Sequence, residues 1–192
     1  MYHKRNIELE VIALYRGNYK ERFYLREISK LARLPLKTTQ NALLHLEKSR
    51  ILKGKLEGKN KYFALNLENI QAKLFLLQAE IYKTNLFLET YPMFKTFLKS
   101  TSTQAPIIVF GSFAKFKPNK DSDIDLFIIS DNEKELPFHL LPHKIHKVCI
   151  SETSFLKSFK EQETLIKEIE KSHIILNNHS FYVNLLWSKY GE

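Results

Sequence analysis

With a single cysteine, Cys149, the 192-residue sequence can close no disulfide within the chain and cannot build a Cys-rich zinc site. It also lacks long apolar runs. The longest, such as Ile107-Ile108-Val109-Phe110, are a handful of residues, and Met1-Tyr2-His3-Lys4-Arg5 leads into no apolar signal segment. The expectation is a cytoplasmic protein with no membrane partner. Glycine is scarce, at five residues, and Gly111 is the only one between Gly58 and Gly191, so glycine here is positional rather than a general source of flexibility. What remains is rich in core material: 44% hydrophobic and 12% aromatic residues exclude disorder over most of the chain and suit one medium domain or two small ones.

Acidic residues are scarce in one place only. Residues 1–66 hold 15 Lys and Arg against 6 Asp and Glu, a difference of +9, whereas residues 67–192 hold 15 against 15. The whole net charge of +9 therefore lies in the first third. That division points to a polyanion-binding module joined to an electrostatically neutral one.

Within the basic third, Ile7, Val11, Ile12, Leu14 and Tyr15 recur at helical spacing up to Gly17-Asn18. An extended piece, Phe23-Tyr24-Leu25, leads into a second helix that Leu34-Pro35 ends. Residues 37–49 form a third, with Thr39, Ala42, Leu43 and Leu46 on one face and Lys37, Gln40, Asn41, His45 and Lys48 on the other. The outward face has groove chemistry, since Asn and Gln can bridge adenine edges and Lys neutralises phosphate. Leu44 interrupts that face, and Leu36 stands where a capping Ser or Thr is expected. Strand, Gly-containing turn and strand follow from Ile51 to Leu65, with Lys53, Lys55, Lys59 and Lys61 along them. Helix, strand, helix, helix, basic hairpin resembles the winged helix-turn-helix of MarR/ArsR-like DNA-binding modules. The resemblance implies DNA contacts from Lys37, Gln40, Asn41, His45 and Lys48 and from the hairpin's Lys59 and Lys61.

From Glu68 onward, Ile70, Leu74, Leu77, Ile81, Leu88 and Tyr91 step by fours and threes with Thr84 filling the gap, a heptad-like seam. Such a seam pairs with its copy in a homodimer or packs on the neighbouring domain. Tyr91-Pro92 breaks it before a short helix through Phe94 and Phe97.

The chemistry concentrates between Ala105 and Ser130. An apolar strand ends in Gly111-Ser112, where a missing side chain allows close backbone approach to a phosphate and Ser112 offers a hydroxyl. After Lys115 and a polar loop, Asp123 and Asp125 open the next strand two residues apart, so both project from one face while Ile124 and Leu126 take the other. Two carboxylates that close repel each other unless a hard divalent cation, Mg²⁺ or Mn²⁺, lies between them.

Gly111-Ser112-Phe113-Ala114-Lys115 and Ser122-Asp123-Ile124-Asp125-Leu126 resemble the Gly-Ser…Asp-x-Asp signature of the DNA polymerase β-like nucleotidyltransferase superfamily, in particular its minimal members. The resemblance implies transfer of a nucleoside monophosphate from an NTP to a protein or nucleic-acid acceptor, tRNA among them. It makes Asp123 and Asp125 catalytic metal ligands, Gly111 and Ser112 triphosphate-binding and Lys115 a phosphate contact. It also implies a third carboxylate on a later strand, where Cys149 aligns, with Glu152 just beyond it as a substitute. His139, His143 and His146 precede that strand and are expected to line a loop over the cleft, and Glu161 to Lys171 reads as an amphipathic helix with Leu165, Ile166 and Ile169 inward.

The expected fold class is α/β (α+β): a winged helix at 1–66, connecting helices at 67–99 and a minimal nucleotidyltransferase domain with a small mixed sheet at 100–192. Two further roles are compatible with the same residues: a DNA-binding regulator whose second domain senses nucleotide or has lost turnover, and a toxin–antitoxin component that modifies tRNA or a partner protein.

Overall fold

The computed structural model describes residues 5–131 and 136–191. The chain divides into two compact units, one of Met1–Glu80 with Val183–Glu192 and the other of Ile81–Tyr182. This differs from the boundaries drawn on the sequence. The division falls inside the long connecting helix, and the last residues belong with the first unit.

In the first unit, Asn6 starts α1 (Ile7–Ile12) by accepting the Leu9 amide at 3.1 Å. A 3-10 turn at Ala13–Tyr15 carries the chain on. β1 (Arg22–Tyr24) runs directly into α2 (Leu25–Leu31), whose Glu27 carboxylate accepts the Tyr24 amide at 3.0 Å. α3 (Leu36–Lys48) starts one residue earlier than expected: Pro35, not Leu36, stands at the cap position, and it offers no side-chain cap. Its Thr39, Ala42, Leu43 and Leu46 are buried, the inward face expected from their spacing. β2 (Leu52–Glu57) and β3 (Asn60–Leu65) form a hairpin through Gly58, whose φ of +60° only glycine adopts without strain. β1 adds to β3 antiparallel, giving the order β1-β3-β2. The buried Tyr15 hydroxyl locks the helices to this sheet by donating to the Phe63 carbonyl at 2.9 Å. Helix, strand, helix, helix, hairpin is thus the observed order.

α4 (Ile70–Thr90) follows. Of the two uses expected for its apolar seam, packing within the chain is the one observed over its second half: Thr84, which fills the gap in the seam, is buried and donates its hydroxyl to the Ile175 carbonyl at 2.6 Å. Leu88 and Tyr91 pack against the core of the second unit, while Ile70, Leu74 and Ile81 are exposed. The apolar stripe therefore serves intramolecular packing over its second half.

In the second unit, α5 (Met93–Lys99) follows the break at Pro92 and buries Phe94 and Phe97. β4 (Ile107–Phe110) is buried at every position, and a single helical turn, α6 (Gly111–Ala114), leaves its end. β5 (Ile124–Ile129) pairs antiparallel with β4, and β6 (Ile145–Ile150) pairs parallel with β5. α7 (Glu152–Glu161) and α8 (Thr164–Lys171) lead to β7 (Ile174–Asn177), antiparallel to β4, and then to α9 (His179–Gly191). The order β6-β5-β4-β7 makes a small mixed sheet, as expected. Glu161 to Lys171 is not one helix. Gln162, at φ +56°, ends α7 in the left-handed region and a new helix starts at Thr164, burying Ile166 and Ile169 as expected. Among the described residues no helix is long and apolar enough to cross a membrane.

Candidate functional site

The site forms where β4 ends beside the start of β5. Register pairs Phe110 with Asp125, so Gly111, the next residue, passes directly over the Asp125 carboxylate. A Cβ built on Gly111 would collide with Asp125 Oδ2 and lie 3.0 Å from its Cγ, and Gly111 has φ +66°. Both facts demand glycine. The turn after it is anchored by Phe113, which is 1% exposed and has its ring centroid 5.3 Å from that of Tyr91 and 5.1 Å from that of His143. Phe116, at φ +55°, closes the turn by donating its amide to the Phe113 carbonyl at 2.9 Å and lays its ring against Phe87 and Tyr91. This aromatic anchoring of the Gly-Ser turn was not foreseen, although the Phe-x-x-Phe spacing after Gly-Ser was there to suggest it.

The loop before β5 is shaped by Asn119, whose side-chain oxygen accepts the Asp121 amide at 2.9 Å and the Ser122 hydroxyl at 3.0 Å. It delivers Asp123 immediately before the strand and Asp125 within it. Their side chains are 42% and 25% exposed, while Ile124 and Leu126 are fully buried, the alternation expected of a strand edge. Two cationic or proton-donating groups face the carboxylates. Lys144 Nζ lies 3.7 Å from Asp123 Oδ2, and His146 Nδ1 lies 3.1 Å from Asp125 Oδ1. Lys144 was not foreseen.

The third-carboxylate alignment is corrected by the β6 register. His146, not Cys149, stands beside Asp125, and Cys149 pairs with Ile128 three residues farther on, on the opposite strand face. The Cys149 thiol is directed to the Ser130 carbonyl at 4.0 Å. Glu152 cannot substitute: it opens α7 beyond the far end of β6, more than about 13 Å along the strand from His146. Of the three histidines expected in a loop before that strand, His146 lies within β6 itself and reaches Asp125, His143 Nδ1 is 3.2 Å from the Ser122 carbonyl, and His139 is exposed in a 3-10 turn.

Among the described residues no three His, Cys, Asp or Glu side chains are grouped to hold a metal ion. Asp123 and Asp125 nonetheless offer two partly exposed hard-oxygen donors side by side, the sparse set with which Mg²⁺ is bound when substrate phosphates complete its shell. The donor chemistry fits such an ion. Lys115 Nζ is engaged by Glu168 Oε1 at 3.3 Å, with both side chains half exposed.

The basic face of the first unit is a separate assembly. Lys37, Gln40, Asn41, His45 and Lys48 are all exposed on α3. His45 differs from the rest in having its Nδ1 2.5 Å from Glu8 Oε1 of α1. On the hairpin, Lys61 pairs with Glu47 at 2.7 Å, Lys53 with Glu68 at 2.8 Å and Lys55 with Glu57 at 3.4 Å. A Cβ on Gly54 would collide with both Glu47 and Lys61, so that glycine makes room for their ion pair. Lys59 has no ion pair among the described residues, and Arg26, unnoticed in the sequence, joins Gln40, Lys59 and Lys61 around one cleft.

Residues 94–181 match the family model described as "Polymerase beta, Nucleotidyltransferase". That span takes in β4, the Gly111 turn, both aspartates and β6. Among solved structures, one titled as TrmBL2, an archaeal chromatin protein with a novel mode of DNA binding, shares 14% identity over 87% of this chain and 70% of that chain, at a TM-score of 0.28. No curated protein matches the chain.

Proposed function

We propose that the chain is a Mg²⁺-dependent nucleotidyltransferase that moves a nucleoside monophosphate from an NTP to a protein or nucleic-acid acceptor, and that its first unit is a winged helix that holds it on DNA. The observation that carries the enzymatic half is the fit of Gly111 over Asp125, inside a segment that matches a nucleotidyltransferase family model. A backbone stripped of its side chain beside a carboxylate pair lets triphosphate oxygens approach the place where a cation would be held. When bound, the divalent ion supplies charge neutralisation of the phosphates.

This chain's own residues would do the rest. Asp123 and Asp125 hold the ion through their exposed oxygens, Ser112 presents its hydroxyl beside the phosphates, and Lys115 can turn from Glu168 toward them. Lys144, 3.7 Å from Asp123, counters the aspartates' mutual repulsion before nucleotide arrives, and His146 Nδ1 stands within hydrogen-bond distance of Asp125 Oδ1, at 3.1 Å. The DNA half rests on the net +9 of residues 1–66 and on the exposed polar face of α3 beside the hairpin lysines.

The test is transfer of label from α-³²P NTPs into a cell extract, comparing the natural chain with the Asp123→Asn/Asp125→Asn double variant. Label that needs both Mg²⁺ and the aspartates supports the enzyme, and its size class names the acceptor. Label that survives the double substitution rejects it. A second reading, a DNA-binding regulator that senses nucleotide without turnover, is favoured by His146 standing beside Asp125 where a third carboxylate is expected. It is supported by Mg²⁺-dependent NTP binding with no label transferred to any acceptor.

A further inference from the structure

A leucine on the outward face of α3 has no place in a surface meant only for phosphate. Leu44 is 55% exposed, and Gln40, one helical turn before it, shares its side of the helix. Both line a cleft of about 670 Å³ between α3 and the hairpin. The apolar floor of that cleft is Leu25, Leu43 and Phe63, and Leu43 and Phe63 are 1% and 6% exposed. Its rim is cationic, with Arg26, Lys59 and Lys61. A polyanion is therefore the complementary occupant by charge, yet the wall it meets at Leu44 is a hydrocarbon.

One polyanion presents a methyl group at its recognition edge. In the major groove of duplex DNA the thymine C5-methyl is the apolar feature, and adenine N6 and N7 are the pair of atoms that a glutamine amide bridges. Residues one turn apart are separated by about 6 Å along a helix, close to the spacing of two base steps. We infer that Gln40 and Leu44 together make α3 a reader of A·T pairs, Gln40 through an adenine edge and Leu44 through a thymine methyl. The inference rests on the DNA-binding reading above and adds to it the base class recognised and the residues responsible.

The experiment compares binding of the full chain to an A·T duplex and to the same duplex with uracil for thymine, which removes the methyl groups and keeps every hydrogen-bonding group. The natural chain binds the uracil duplex more weakly, by about fourfold for each methyl it covers. Leu44→Ala, a change at an exposed position, binds both duplexes alike, whereas Lys59→Ala weakens both and keeps their ratio. Equal binding of the two duplexes by the natural chain overturns the methyl reading while leaving DNA binding in place. An undiminished ratio in Leu44→Ala overturns it as well. Failure to bind any duplex at low salt rejects the DNA-binding function itself. A change in sedimentation with no change in DNA affinity for Leu44→Ala assigns the patch to a second copy of the chain and rejects the inference.

Discussion

Gly111 and Asp125 occupy space that only one of them can fill: the missing side chain of the first is the room taken by the carboxylate of the second. The contact joins the end of β4 to the face of β5, so the Gly-Ser turn and the strand that carries Asp125 are built as one piece. Gly111→Ala is expected to disturb both. The left-handed backbone costs about 1–2 kcal/mol for a residue with a Cβ, and the carboxylate must also swing away. The measurement is Mg²⁺-dependent NTP binding by calorimetry together with the melting temperature, which should fall by about 2–8 °C. Unchanged nucleotide binding with Asp125 displaced would remove Asp125 from the site.

Arg16 and Glu80 make a nearly dry ion pair, N to O 2.5 Å, with side chains 11% and 0% exposed. Glu80→Ala leaves a buried guanidinium without that partner and should destabilise the first unit by about 3–5 kcal/mol. Replacing both by apolar residues, Arg16→Met with Glu80→Leu, should recover most of the loss. Denaturant unfolding of the two variants separates these outcomes.

Tyr15 and Tyr19 have their phenol pKa values raised well above the usual 10.0, chiefly by burial and, for Tyr19, also by the Glu80 carboxylate. Their protons stay bound in the folded state at pH values where the unfolded chain has released them. Stability is therefore full below pH 10 and falls as the pH rises above it. Absorbance of tyrosinate should show these two side chains ionising together with unfolding rather than before it. Tyr15→Phe, which removes one of the two groups, should flatten the alkaline decline.

The hairpin lysines should contribute unequally to nucleic-acid binding. Lys61 is already held by Glu47 and must leave it to reach a phosphate, whereas Lys59 has no ion pair among the described residues. Lys59→Ala should lower the slope of log affinity against log salt by about 0.9, the value for one phosphate contact. Lys61→Ala should lower it by less. Filter binding of one duplex across a salt series measures both.

How much of this was legible depends on how far apart the partners lie in the chain. The Gly-Ser turn and the Asp-x-Asp pair announce themselves because each is a local chemical pattern, and the inward face of α3 is a local period. The neighbour of Asp125 on β6 is a matter of long-range register. A shift of three residues along one strand separates Cys149 from His146, and nothing near either residue shows which will stand opposite the carboxylate. The partner of Thr84 was out of reach for a related reason. Its helical spacing fits a seam, but the carbonyl it bonds belongs to Ile175, 91 residues away. The break at Gln162 escaped because it uses a non-glycine residue in the left-handed region, where sequence patterns look for glycine.

Tyr19, 1% exposed, has its ring 6.4 Å from Trp187 and 5.4 Å from Tyr190, so the first unit takes part of its wall from α9. On the ribosome those two rings are made after every residue of the second unit. The residues before Ile81 therefore cannot reach their finished packing until Tyr190 has emerged, while Ile81–Tyr182 already has all of its own residues. Order of synthesis and order of completion run in opposite directions, and a chain stalled after residue 182 would carry a nucleotidyltransferase-like unit beside an unfinished basic one.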